Sequence, residues 1–158
     1  MMEKTNVMRL LDVAKIPYSS YEYDKTVTDG KSVAKLLNQD ENSVFKTLVT
    51  VANTNEHFIF VIPVNSTLNL KKASKSVGVK SVEMIKQKEL LPLTGYIHGG
   101  CSPIGMKKPF TTVIDETAQL FDNICVSAGK VGHQVQLNPL ELCSYINAKF
   151  DDIADISL

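Results

Sequence analysis

The sequence predicts an α+β domain with a mixed, mostly antiparallel, barrel-like sheet surrounded by helices. Helix signals occur near both ends of the chain, and runs rich in β-branched and aromatic residues lie between them. The two kinds of segment are intermixed without the regular strand–helix–strand alternation of a parallel sheet. The length of 158 residues suits one domain, and we expect residues 1–158 to form it.

The first forty residues contain two helix signals with a strand signal between them. Thr5 can cap a helix whose apolar positions continue to Ala14, and Pro17 ends it. Residues 18–23 alternate in the manner of a short strand. A second short helix is predicted over residues 33–37.

The clearest predicted unit is a β-hairpin. Residues 46–52 and 57–62 are both rich in β-branched and aromatic side chains, and residues 53–56 between them suit a four-residue turn. An amphipathic helix is predicted next, over residues 68–77, and a shorter helix over residues 82–90.

The second half of the chain alternates strand signals with turns. Strands are predicted at residues 111–114, 124–127 and 134–137. Asn138 followed by Pro139 favours a helix start, because Asn caps the first turn and Pro fits within it. The last helix is therefore predicted to run from this point to about Lys149.

The charge balance limits how the chain could bind nucleic acid. Lys and Arg number 17, Asp and Glu number 17, and the formal net charge is zero. Binding by bulk charge requires a strongly basic surface, because it depends on neutralising phosphates. We therefore expect at most a local basic pocket.

Cysteine spacing and hydropathy indicate the class of protein. The three cysteines are far apart and form no Cys-x-x-Cys pair, so neither a disulfide framework nor a metal site is predicted, and we expect no cofactor. The N-terminus lacks the apolar segment of a signal peptide, and no stretch approaches 18 apolar residues. These features predict a cytoplasmic protein.

The segment Gly95–Gly105, GYIHGGCSPIG, is the strongest candidate for a site. Its glycines let backbone N–H groups approach a ligand closely, as in an anion-binding nest or an oxyanion hole. A tight structural turn would also explain them. A second glycine turn, Ser127-Ala128-Gly129, follows a predicted strand and could present Ser127 to the same cleft.

Two further features leave alternatives open. Lys46 begins a strand, where its amine could reach water or be held in a cleft to polarise an ester or pair with phosphate. His98 and Cys101, three residues apart in the glycine loop, could form a Cys/His hydrolase pair.

Six segments together resemble one known family. They are, in order, VFKTL (44–48), LKK (70–72), VEM (82–84), GYIHGGCSPIG (95–105), ID (114–115) and SAGK (127–130). In this order and spacing they resemble the YbaK family of the prolyl-tRNA synthetase editing-domain superfamily. The resemblance extends from about Asn6 to Ala154.

The resemblance implies an α+β, barrel-like fold and an enzyme that cleaves the ester of tRNA(Pro) mischarged with cysteine. It implies that Lys46 is critical and contacts the terminal adenosine of the tRNA or orients the ester. The implied pocket residues are Gly99, Gly100, Ser102, Pro103 and Gly105 on its floor, Ser127 and Gly129 on the opposite wall, and Tyr21 nearby.

The resemblance also implies that the substrate's own thiol attacks the carbonyl carbon and releases a cyclic thiolactone and free tRNA. Prolyl-tRNA synthetase is the implied partner, and it would provide most of the binding affinity for the tRNA. Gln134 and Asp29 depart from the family pattern, so the amino acid removed stays open. Cleavage of Cys-tRNA(Cys) or of another ester such as Ala-tRNA(Pro), and a non-catalytic nucleotide- or peptide-binding module, are the alternatives.

Overall fold

The computed structural model describes residues 3–156, within which the chain forms five α-helices and ten strands. The helices are α1 (Asn6–Ala14), α2 (Gly30–Leu36), α3 (Leu70–Val77), α4 (Leu90–Thr94) and α5 (Pro139–Tyr145). The strands are β1 (Tyr18–Glu22), β2 (Phe45–Ala52), β3 (His57–Pro63), β4 (Ser66–Leu68), β5 (Val82–Met84), β6 (Thr111–Asp115), β7 (Ile124–Ser127), β8 (His133–Leu137), β9 (Lys149–Asp151) and β10 (Ala154–Ile156). None of the helices in this part of the chain has the length and apolar character needed to cross a membrane.

The strands of residues 3–156 form three sheets. The largest has the order β5-β2-β3-β6-β9, the second β1-β8-β7, and the third pairs β10 with β4. Most pairs are antiparallel, whereas β3–β6 and β6–β9 are parallel. The predicted α+β class with a mixed, mostly antiparallel arrangement is confirmed, but the sheets stay open instead of closing into a barrel.

Strand β3 lies at the centre of the largest sheet and is buried on both faces. Ile59 and Val61 pack in the main core, whereas Phe58, Phe60 and Ile62 pack in a second core on the other face. A strand covered on both sides needs apolar residues at every position, which explains the continuous apolar run. Burying each such side chain stabilises the fold by about 1.5–3 kcal/mol.

Helix α1 covers one side of the main core, and its predicted signals are confirmed. The side chain of Thr5 accepts a hydrogen bond from the backbone N–H of Met8, and Lys15 adopts a left-handed conformation (φ 60°) that ends the helix. Val7, Met8 and Leu11 are buried against the core.

The predicted helix over residues 82–90 is wrong. Val82–Met84 forms β5, which pairs antiparallel with β2. The edge of β2 offers unpaired backbone groups, and this pairing satisfies them, which the local sequence does not reveal. The predicted helix over 68–77 begins later, at Leu70, because Leu68 belongs to β4 and Asn69 caps the helix.

The last helix is shorter than predicted, ending at Tyr145 instead of about Lys149. Asn147 adopts a left-handed conformation (φ 57°), and Lys149–Asp151 then runs parallel to β6 as β9. The buried carboxylate of Asp115 at the end of β6 accepts hydrogen bonds from the backbone N–H groups of Ile153 and Ala154, each at 3.1 Å. This carboxylate fastens the C-terminal segment to the largest sheet.

Candidate active site

A cavity of about 410 Å³ opens where the beginnings of β2 and α2, the glycine loop and the turn after β7 meet. Its volume falls within the roughly 300–1,000 Å³ typical of small-molecule sites. Much of its wall is apolar, with Val33, Phe45, Leu48, Val64 and Leu90 among the lining residues. Its polar lining includes Thr28, Asp29, Lys46, His98, Ser127 and Gln134. A mostly apolar cleft with a few polar groups suits a specific ligand.

Lys46 of β2 contributes a cationic side chain to the lining of this cavity. It is the second residue of the strand and is half-buried. Within residues 3–156, its amine has no salt bridge. Burial lowers the pKa of Lys46, the carboxylate of Asp29 partly opposes this by raising the pKa, and Lys31 lowers it further. The amine is therefore available to a ligand.

The glycine loop reaches the cavity through Gly99 and Cys101. Gly99 has a φ of 84°, and a Cβ atom added there would lie 3.1 Å from Cβ of Thr28. At Gly100, an added Cβ would lie 3.1 Å from the backbone nitrogen of Val131. A side chain at either position would crowd its neighbour, and at Gly99 the positive φ also favours glycine.

The turn after β7 supports the opposite side of the cavity. Ser127 lines the cavity, and its hydroxyl accepts a hydrogen bond from the backbone N–H of Gly129 at 3.2 Å. Gly129 has a φ of 87°, a conformation that favours glycine.

The start of α2 forms a further wall, of which the sequence indicated only Asp29, through its departure from the family pattern. Asp29 caps this helix by accepting hydrogen bonds from the backbone N–H and the hydroxyl of Ser32. Asp29, Gly30 and Val33 all line the cavity. The cap signal, an Asp three residues before a Ser, is visible in the sequence, but it does not indicate what the helix faces.

Residues 24–145 match the family described as the aminoacyl-tRNA editing domain. The chain belongs to this family. EbsC of Enterococcus faecalis, named as a proposed Cys-tRNA(Pro)/Cys-tRNA(Cys) deacylase, is 46% identical over 153 residues, which cover 96% of this chain and 93% of EbsC. The proline–tRNA ligase of Shouchella clausii is 28% identical over 116 residues, which cover 73% of this chain and 20% of the ligase.

Solved structures share the fold of this editing domain. The protein APE2540 superimposes with a TM-score of 0.88 at 22% identity, covering 96% of this chain and all of that one. A protein described as a proposed trans-editing enzyme for prolyl-tRNA synthetase gives a TM-score of 0.82 at 20% identity, covering 98% of this chain and 99% of that one. These likenesses establish the editing-domain fold.

The residues predicted for the site occupy different places in the editing domain. Lys46, Gly99 and Ser127 line the cavity together. The others predicted for its floor and wall, Gly100, Ser102, Pro103, Gly105 and Gly129, lie outside the lining, in the loops that carry it. Tyr21 also lies outside, where its hydroxyl donates to Oε1 of Gln136 at 3.1 Å, while Tyr23 lines the cavity. Substrate contact by these residues stays a prediction.

Tyr96 packs between two glycine segments of the editing domain, the loop that contains Gly105 and the turn that contains Gly129. Its hydroxyl donates a hydrogen bond to the backbone carbonyl of Ile104. A Cβ atom added to Gly105 would lie 2.9 Å from the hydroxyl oxygen of Tyr96, and one added to Gly129 would lie 3.0 Å from its Cε1 atom. Burial raises the pKa of Tyr96 to about 12, so the phenol stays a neutral donor near neutral pH.

Replacing Tyr96 by Phe should keep the ring between the two glycine segments but leave the Ile104 carbonyl without its donor. We expect a loss of about 1 kcal/mol in the free energy of unfolding, measured in urea. Tyr145 is exposed, so Tyr145→Phe is the matched control and should change the free energy of unfolding little. Equal stability of the Tyr96→Phe variant and the wild type would contradict a bracing role for the hydroxyl.

Proposed function

We propose that this editing domain is an aminoacyl-tRNA deacylase that acts in trans on tRNA(Pro) mischarged with cysteine. The observation that carries the proposal is the half-buried amine of Lys46, which lies without a salt bridge, within residues 3–156, on a cavity shared with Gly99 and Ser127. The similarity to EbsC, which extends over nearly the whole length of both chains, supports the same activity.

The proposed chemistry needs no nucleophile from the protein. The thiol sulfur of the cysteinyl group attacks its own ester carbonyl carbon, so a C–S bond forms and the C–O bond to the ribose breaks. The thiol proton ends on the ribose oxygen, and the products are a four-membered thiolactone and free tRNA. The protein contributes positioning, for which effective concentration can supply about 7–11 kcal/mol. Lys46 and the backbone N–H groups of the glycine loop are suited to stabilise the carbonyl oxygen as it becomes negative.

Cys101 offers a test against the hydrolase alternative. It lines the cavity together with His98, but burial raises the pKa of the Cys101 thiol to about 12, so little of it is thiolate near neutral pH. A Cys/His hydrolase requires an activated thiolate, which Cys101 does not supply. We therefore expect Cys101→Ser to retain the wild-type kcat/KM within about threefold. An inactive but folded Cys101→Ser variant would favour the hydrolase instead.

The pH dependence should report on Lys46. If its ammonium form stabilises the ester oxygen, activity declines as pH rises through the lowered pKa of Lys46. Asp29→Asn removes the charge that raises this pKa, so the decline should move to lower pH. Asn is as good a helix cap as Asp, so α2 should persist. A pH profile of kcat/KM with an unmoved alkaline limb would exclude this coupling.

Recognition of the whole tRNA is proposed to depend on a partner. The net charge of zero gives little general attraction for phosphates. Proline–tRNA ligases carry the matching segment as about a fifth of their length. We therefore propose that prolyl-tRNA synthetase holds the tRNA while this chain cleaves the ester, and that affinity for free tRNA is weak at physiological salt.

The deciding experiment compares three esters of tRNA(Pro), carrying cysteine, S-methylcysteine and alanine. Rapid release from the cysteinyl ester alone is expected, since S-methylation and alanine both remove the attacking thiol. Comparable release from all three esters would replace the thiol route by attack of water or a tRNA hydroxyl. Saturable binding without release of any amino acid would refute the enzyme and support a binding module.

A further inference from the structure

Two glutamine side chains join two walls of the cavity. Gln134 of β8 lines the cavity and is only 3% exposed. Nε2 of Gln39 donates to Oε1 of Gln134 at 2.7 Å, and Nε2 of Gln134 donates to Oε1 of Gln39 at 3.1 Å. Exchanging O and N in both amides reproduces the same two bonds, so the pairing does not depend on their assignment.

The backbone at the end of α2 holds Gln39 in place. Asn38 follows the helix in a left-handed conformation (φ 54°), and its N–H donates to the carbonyl of Lys35 at 3.1 Å. The N–H of Gln39 donates to the carbonyl of Ala34 at 2.8 Å. These two bonds form a Schellman motif, with Asn in the left-handed position. Gln39 is not among the residues that line the cavity, but its side chain is hydrogen-bonded to Gln134, which is.

The amide of Gln134 keeps hydrogen-bonding capacity after pairing. A glutamine amide has two N–H donors and an oxygen with two lone pairs, and the pair with Gln39 uses one of each. Gln134 stands opposite Ser127 in the register of β8 with β7, and Ser127 also lines the cavity. A buried, oriented and neutral amide with a spare N–H is suited to bind a polar group of a ligand.

We propose that Gln134 contacts the aminoacyl-adenosine end of the substrate, which is rich in hydroxyl, amine and carbonyl groups, and that Gln39 is a positioning residue that acts through it. This inference rests on the proposed deacylase function. The pair also ties α2, which carries Asp29, Gly30 and Val33, to the wall formed by β8.

A double-mutant cycle on kcat/KM for Cys-tRNA(Pro) tests the assignment. Leucine is similar in size to glutamine but cannot hydrogen-bond. We expect Gln39→Leu to lower kcat/KM about tenfold in the wild-type background, because it leaves the Gln134 amide unpaired. In the Gln134→Leu background the same change should cost less than about twofold. The exposed Gln119→Leu is the matched control.

A second variant separates substrate contact from a merely structural pair. Gln134→Glu keeps an acceptor for Nε2 of Gln39, which ties α2 to β8, but offers no N–H to a ligand. Because the new carboxylate is buried and leaves Oε1 of Gln39 without its donor, we expect a lower urea midpoint than the wild type, but a protein that is folded without urea and has about tenfold lower kcat/KM. Thr117→Ala, which loses a hydrogen bond away from the cavity, controls for reduced stability and should keep its activity.

Three outcomes would overturn the inference. Equal losses from Gln39→Leu in both backgrounds would mean that Gln39 acts apart from Gln134. A fully active Gln134→Glu variant would exclude contact with the substrate. A wild-type protein that releases no amino acid from any of the esters would refute the proposed function and this inference with it, whereas either of the first two results with an active wild type refutes the inference alone.

Discussion

Replacing Lys46 by alanine is expected to lower kcat/KM for Cys-tRNA(Pro) by about 10²–10³-fold, the loss typical of removing one group that stabilises a developing oxyanion. The amine is half-buried on the cavity, and no salt bridge within residues 3–156 engages it. Its loss would leave the glycine loop alone to stabilise charge on the ester oxygen. The measurement is single-turnover release of cysteine from the charged tRNA.

The fold should survive this change, because Lys46 makes no salt bridge to the described chain and its strand is held by the backbone pairing of β2 with β3. The exposed Lys80→Ala removes the same charge elsewhere on the surface and should keep full activity. Undiminished turnover by Lys46→Ala would remove the central residue of the proposed function.

The largest effect on stability is expected for Asp115→Ala, which should lower the free energy of unfolding by about 3 kcal/mol or more. Asp115 is 2% exposed, and its carboxylate accepts from the backbone N–H groups of Ile153, Ala154 and Thr117 and from the hydroxyl of Thr117. Alanine would leave the buried N–H of Ile153 without its partner and release the connection between β6 and the C-terminal segment.

Urea unfolding would measure the Asp115 effect as a lower midpoint with a similar slope. Asp122→Ala, an exposed carboxylate seven residues along the chain, should change stability by less than about 0.5 kcal/mol. Thr117→Ala should fall between the two variants, because it removes only the hydroxyl bond. An Asp115→Ala variant as stable as Asp122→Ala would show that the carboxylate does not secure the C-terminal segment.

Local signals determined several elements of this protein by themselves. The Thr5 cap and the apolar spacing after it predicted α1, and the paired β-branched runs predicted the hairpin of β2 and β3. The same signals placed Lys46 at the start of a strand and Gly99 in a loop of special conformation. Each depends on residues a few positions apart, which is the range over which caps, turns and side-chain periodicity act.

The tertiary structure alone decided what these elements face. Residues 82–84 pair with β2 although their local pattern suited a helix, and Lys149 joins β9 because β6 offers a free edge. Gln39 and Gln134 are 95 positions apart, and the sequence carries no signal that joins their amides. Likewise, the site depends on the contact of Gln39, after α2, with Gln134 of β8 and on the packing of Tyr96 between the two glycine segments. Such contacts form between surfaces that meet only when the whole chain packs, so no short stretch of sequence can encode them.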